Sequence, residues 1–397
     1  MQSKSYLYIF IIFITGVCLT NMTLAEMTST QDPITLFMGG DVMTGRGIDQ
    51  VLPYPGDPRL YEPYVKDAKD YVVLAEGANG SIQKPVQCHY IWGDALEVLE
   101  QIAPDVRLIN LETSITTSHE YWPDKGIHYK MHPKNVSCLK EARIDYCSLA
   151  NNHLLDWGYP GLTETLDSLK GVNIKISGAG ENLQEAEQPA IISVEGKGRA
   201  IVFSYGFSSS GIPSSWAAKK DRPGVNLLHS LSGRTVRHVK EQIDKIKQAG
   251  DIIIASIHWG SNWGYAVPPG HIDFAHRLID DAGVDIVHGH SSHHARPLEV
   301  YKGKLIIYGS GDFINDYEGI SGHDEYRDDL VLMYFASIDP ISGKLVQLQM
   351  IPLQIKKFRL NRASEKDIIW LKDTFNRESK ALGTRIQLSE DNVLTIH

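Results

Sequence analysis

Two β-branched runs end in histidine: DIIIASIHWG, residues 251–260, and GVDIVHGHSSHH, residues 283–294. Together they carry His258, His288, His290, His293 and His294. Imidazole is the commonest metal ligand and a common general acid or base, and open α/β sheets place their sites at the carboxyl ends of strands. One histidine after a strand is more often a loop or core residue, but five at two such ends favour chemistry. His258 and His293 are the strongest ligand candidates and His290 a weaker one. His288 reads as part of the strand, and His294 has no assigned role.

The pattern repeats upstream. ITLFMGG ends at Asp41 after a Gly-Gly pair that lets the backbone turn tightly, the run from Val106 leads to Asn110-Leu111-Glu112, and YCSLA leads to Asn151-Asn152-His153. Collected, the strand-end residues are Asp41, Glu112, Asn152, His153, His258, His290 and His293. Carboxylate, amide and imidazole ligands on one sheet edge suit two divalent cations about 3.5–4 Å apart that activate water for in-line attack. Asp156 is spaced either to orient His153 or to cap a turn. Arg46 offers a planar guanidinium to an anionic oxygen, or a structural ion pair. Asp312 and Asp316, in the Gly-rich GSGDFIND, rank below this set. His119, His128 and His132 read as surface loop residues.

Regular elements must bring these positions to one edge. Helical spacing of apolar residues predicts helices near 92–102, 136–142, 159–169, 232–249 and 272–281 between the strands. Strand, helix, strand from 251 to 290 demands parallel pairing through a right-handed crossover. AIISVEG with RAIVFSY, and LEVYKGKLIIYGSGDF turning at Lys302-Gly303, predict hairpins; LVLMYFASI and LVQLQMIPLQI close the sheet system. Residues 51–87, rich in Pro, Tyr and Gly, read as an ordered insertion or surface loop. A second loop, 207–223, is expected to leave Trp216 accessible.

The 397 residues are 42 % hydrophobic and 22 % charged, the composition of a globular protein of one large or two ordinary domains. The net charge of −9, with no basic block, excludes nucleic acid as a partner. Lys4, the apolar run Tyr6 to Val17 and the small and polar residues up to Ala25 have the pattern of a secretory signal. Residues 1–25 are therefore expected to be a signal peptide or N-terminal anchor, giving an exported protein of the periplasm or cell envelope with membrane association if the segment is retained. Cys88, Cys138 and Cys147 then remain; they read as structural thiols, with Cys138 and Cys147 the expected pair if a disulfide forms.

GGDVMTGRG, NLET, ANNHLLDWGYPGLTETLDSL, SGAGENLQEAEQPA, HWG and GHSSHH followed by LEVYKGKLIIYGSGDFIND form a specific set. Through them residues 34–316 resemble the bacterial capsule synthesis (poly-γ-glutamate, CapA-type) family within the calcineurin-like metallophosphatase superfamily. The resemblance implies an α/β fold, a sandwich of two mixed β-sheets flanked by helices over residues 34–355, with 356–397 an extension packing on it. It implies a metal-dependent hydrolase acting on a phosphoester or a polyanionic envelope polymer, with a non-catalytic polymer assembly or binding factor as the alternative. Asp41, Glu112, Asn152, His258 and His293 become ligands for divalent ions, up to two (Mn, Fe, Zn or Mg), with His290 a further ligand and His153 the proton donor to the leaving group. Two departures stand out: Met43 occupies the place of an imidazole in the superfamily's Asp-x-His, and Glu112 replaces an aspartate.

Overall fold

The computed structural model describes residues 31–396; the signal-like segment 1–25 lies outside them. Two β-sheets stack face to face and each carries helices on its outer side. In the first, of ten strands, Ile34–Val42, Val106–Leu111, Tyr146–Ser148 and Lys175–Ser177 run parallel, and Leu330–Ile338 and Leu345–Ile355 continue antiparallel on the other side of Ile34–Val42. In the second, of seven, Gly198–Phe207, Asp251–His258, Ile286–His290 and Lys304–Ile307 are parallel neighbours. Residues 356–396 add Leu360–Arg362, the helix Glu365–Glu378 and two short strands to the first sheet. This is a mixed α/β sandwich.

The alternation of side chains along each strand builds three apolar layers. Ile252 and Ile254 meet Leu36, Met38, Val106 and Leu108 between the sheets, while Ile253, Ala255 and Ile257 face the outer helices Gly233–Asp244 and Pro269–Asp280. On the far side of the first sheet, Phe37, Ile109 and Cys147 pack with Leu162, Leu166 and Leu169 of the helix Gly158–Gly171. Strands buried on both faces explain why these runs read as unbroken apolar sequence.

The interlayer changes character along its length. The inward-facing series that begins Ile252, Ile254 continues with Ser256 and His258, Ile286 is followed by His288 and His290, and Tyr146 by Ser148. All these polar residues are buried; a hydrogen bond of 2.6 Å from Ser148 Oγ to Ser204 Oγ joins the two sheets, and one of 2.9 Å from Ser256 Oγ to His290 Nε2 links neighbouring strands of the second. One end of the sandwich is thus dry and the other polar.

Several expectations need correction. The disulfide joins Cys88 to Cys138, not Cys138 to Cys147. Cys147 lies in mid-strand with its thiol in the helix-side core, whereas Cys138 opens a helix beside the 51–87 insertion. That insertion contains the helix Lys69–Asn79. Trp216 is fully buried, its ring edge-on to Trp122 at 5.4 Å. His128 is buried too: its Nε2 pairs with the Trp122 carbonyl, and the rings of Tyr61, Tyr121 and Trp157 surround it. Aromatic packing outweighs loop composition at both places. No helix among the described residues is long and apolar enough to cross a membrane.

Candidate metal centre

A bulge in the first strand aims its terminal carboxylate. Met38 pairs with Leu108 but Asp41 with Asn110, so one extra residue is inserted at Gly39-Gly40. The extra residue reverses the alternation: Val42 joins the helix-side core, and Asp41 turns into the polar end of the interlayer. A β-carbon on Gly40 would lie 1.8 Å from the Gly311 carbonyl oxygen, so glycine is required where the Asp312–Ile314 strand docks.

Asp41 Oδ1 accepts from Asn110 Nδ2 at 2.7 Å, and Oδ2 from the Ser291 backbone N–H at 3.1 Å. One ligand atom each of Asp41, His258 and His290 lies within 4.8 Å of the others, all buried. His258 Nδ1 is 2.8 Å from His290 Nδ1, and its Nε2 is 2.7 Å from Asn152 Oδ1. Glu112 Oε1 stands 3.7 Å from both His258 Nε2 and His153 Nε2, while its buried Oε2 has no partner among the described residues. His293 sits to the side: Nδ1 meets Asp312 Oδ1 at 3.0 Å, and Nε2 lies near Asn262 and Tyr317.

The electrostatics of this group are unbalanced. Burial pushes the Asp41 carboxyl up, with the nearby Asp312 charge adding to it, and burial together with Asp41 pushes Glu112 well above the carboxylate range. Burial holds His258 and His290 well below the usual imidazole value, so both are neutral. Two crowded carboxylates, neutral imidazoles and an orphaned buried oxygen form a donor set whose desolvation a divalent cation would offset. The residues therefore fit the metal that the resemblance implies.

His153 belongs to a different group. Its Nδ1 contacts Asp156 Oδ2 at 2.6 Å and Lys125 Nζ at 2.9 Å, and Lys125 also pairs with Asp156. Burial and the Lys125 charge push His153 down to about 4. Arg46 is buried away from the carboxylate cluster, its guanidinium bound to Asp316 through Nε and Nη2 and to Glu62 Oε1 at 3.2 Å, with the Tyr71 and Tyr129 rings against it. Met43 is buried as well, and its sulfur receives the Tyr317 hydroxyl at 3.7 Å.

Six of the strand-end candidates, Asp41, Glu112, Asn152, His153, His258 and His290, are thus linked by contacts of 3.9 Å or less; His293 stands beside them, paired with Asp312. Sequence reasoning missed Asn110, whose Nδ2 lies between Asp41 and His258, and Asn151, which fixes Asn110 Oδ1 at 3.2 Å. Asn110 occupies the same inward face as Leu108, a signal the strand pattern contained. Lys125 carried no such signal, because a loop brings it in.

Residues 35–317 match the family described as Bacterial capsule synthesis protein PGA_cap. A probable polyglutamine synthesis accessory protein of Mycobacterium tuberculosis is 51 % identical over 93 % of this chain and 97 % of its own length. The PGA biosynthesis protein CapA of Bacillus subtilis is 28 % identical, covering 77 % of this chain and 69 % of that protein. The capsule biosynthesis protein CapA of Bacillus anthracis is 26 % identical over 82 % and 68 % respectively. With the motifs of its strand ends, a family match across most of its length and a relative sharing half its residues, the chain belongs to the bacterial capsule synthesis PGA_cap family.

Proposed function

We propose that this CapA-type protein, related to capsule and polyglutamate synthesis, is an exported metal-dependent hydrolase with a calcineurin-like site, acting on a phosphoester or a polyanionic envelope polymer. The observation that carries the reading is the convergence of Asp41, His258 and His290 beside the unpartnered Glu112 Oε2. Asp41, Glu112, Asn152, His258 and His290 would hold divalent ions, with His293 at the outer edge. Bound there, such ions supply Lewis acidity to a substrate oxygen and lower the pKa of an attacking water.

The chain's own residues account for positioning and proton control. Asn110 and the Ser291 N–H hold both Asp41 oxygens in place. Asp156 fixes His153 through Nδ1, so that Nε2 faces Glu112 and the reacting space. With His153 pushed down to about 4, protonation of a leaving group requires an anionic substrate at Nε2 to raise it. Export is supported by the signal pattern of residues 1–25 and by the Cys88–Cys138 disulfide.

The test is elemental analysis of the purified protein, with hydrolysis assays on p-nitrophenyl phosphate, nucleotides and γ-linked glutamyl peptides. Bound metal and activity that both fall in His258→Ala support the reading; a metal-free protein whose activity ignores that change refutes it. A second reading, a non-catalytic polymer-binding factor, is favoured by Met43, which places a thioether against Tyr317 where an imidazole ligand would complete a second ion site. Polymer binding unaffected by loss of Asp41 and His258 would select it.

A further inference from the structure

Beside His293 lies a cavity of about 300 Å³. Trp263 and Tyr317 line it, and their rings stand 5.3 and 5.1 Å from the His293 ring. Asp324 and Asp328 line it as well. The side-chain oxygens of these two aspartates pair with no other residue among those described; Asp328 uses its backbone carbonyl to accept from Asn315 Nδ2 at 3.4 Å. Asp328 is half-buried, so its carboxylate has lost water without gaining a partner.

His293 stands near Asp328, but its Nδ1 is paired with Asp312, and no other nearby cation forms an ion pair with Asp328 among the described residues. Arg46 borders the cavity, but Asp316 and Glu62 hold its guanidinium. His323 lies stacked on Trp263 at 4.0 Å. A second cavity of about 270 Å³ shares Tyr317, Asp324 and Asp328 and continues past Glu318 and Asp329. There Arg327 is bound to Asp329 and Asp367, and Lys356 lies among the lining residues. The approach to the metal centre from this side is therefore acidic. Successive carboxylates of a polyanion would be repelled along it, while aromatic faces around an unpaired carboxylate attract an organic cation.

We propose that this cavity binds a protonated primary amine of the substrate, seated against Trp263 and Tyr317 and paired with Asp328, so that the metal centre engages a chain at its amino end. The volume fits this role: about 300 Å³ is at the small limit for ligand pockets and admits one residue-sized end group, not a length of polymer. An internal segment of a γ-linked glutamyl chain offers only carboxylates and amides, whereas its amino terminus offers the one cation. The choice of a glutamyl chain rests on the proposed function above; the ammonium site rests on the cavity alone.

Calorimetric titration of the full chain with γ-linked triglutamate, free or acetylated at its amino end, and with n-butylammonium, separates the two. Acetylation should weaken binding at least tenfold in the native protein. Asp328→Asn should weaken the free peptide to a similar degree and remove the effect of acetylation; Trp263→Ala should act in the same direction. Asp328→Asn keeps the backbone bond to Asn315 and removes no side-chain partner, and urea unfolding checks that it is folded. Triglutamate binding that ignores acetylation overturns the ammonium site and leaves the hydrolase reading standing. If triglutamate fails to bind while n-butylammonium binds the native protein and not Asp328→Asn, the cavity assignment holds and the polymer reading falls. If neither free triglutamate nor n-butylammonium binds, the cavity assignment is overturned.

Discussion

Gly40→Ala tests the claim that a bulge aims Asp41. The new β-carbon would lie 1.8 Å from the Gly311 oxygen and 2.9 Å from its carbonyl carbon, both backbone atoms that no rotamer change can move. Gly311 has little room to yield, because its own α-carbon faces the backbone of His294 and Ala295, with Ala295 N 2.8 Å from a β-carbon placed there. Restoring ordinary contact separates the two strands by roughly 1.5 Å, which breaks the 3.1 Å hydrogen bond from Asp41 N to Gly311 O. Overpacking of about 1–3 kcal/mol and a lost hydrogen bond of about 1 kcal/mol give a destabilisation of about 2–4 kcal/mol. Because functional constellations tolerate displacements of only about 0.5 Å, Mn²⁺ affinity should fall at least tenfold. Urea unfolding reads the first effect and calorimetric titration with Mn²⁺ the second. Gly77→Ala, at an exposed position of the Lys69–Asn79 helix with nothing within 4 Å of the new carbon, is the control and should stabilise by about 0.5–1 kcal/mol. Gly40→Ala unfolding within about 0.5 kcal/mol of the native protein, with unchanged Mn²⁺ affinity, would refute the reasoning.

Further outcomes follow from other parts of the structure. Reduction of the Cys88–Cys138 bridge, which closes a separation of 50 residues, should cost about 2–4 kcal/mol in urea unfolding, and an unchanged midpoint would count against a structural role. His271 is stacked on Trp259 and is pushed down to about 4, mainly by burial and then by Arg296. Its folded value lies below the unfolded value near 6.5, so its stabilisation is full above about pH 6.5 and is lost as pH falls toward 4. His271→Phe keeps the stack and should make the acid limb of the stability–pH curve shallower; an identical limb contradicts the assignment. Lys125→Met removes the charge that presses on His153 and should move the alkaline limb of the hydrolysis profile, where the proton donor is lost, to higher pH, with a kcat change larger than any KM change.

The strand ends were legible because chemistry interrupts an otherwise apolar period. DIIIASIH and DIVHGH announce both the strand and the residue it delivers, and the parallel pairing of His258 with His290 follows from two such runs joined by one helix. Asp41 was legible through Gly39-Gly40, although the bulge that reverses its face was not, since it depends on the register with Val106–Leu111. Loop-borne contacts were hidden for the same reason. Lys125 reaches Asp156 from a segment with no period of its own, and Cys88 meets Cys138 only because the insertion folds back on a helix start. Trp216 and His128 show the converse: Gly/Ser/Pro-rich sequence marks irregular backbone but says little about whether its aromatic side chains are covered.

The gradient between the sheets, aliphatic at one end and ionisable at the other, separates two kinds of mutational risk. Substitutions among Ile252, Ile254, Leu36 and Leu108 threaten the existence of the folded chain, whereas those among Asp41, Asn152, His258 and His290 chiefly alter what the chain can bind. Residues at the polar end can therefore change without first surrendering the scaffold. In a random-mutation library of this protein, soluble but inactive clones should map to the polar end and insoluble ones to the aliphatic end.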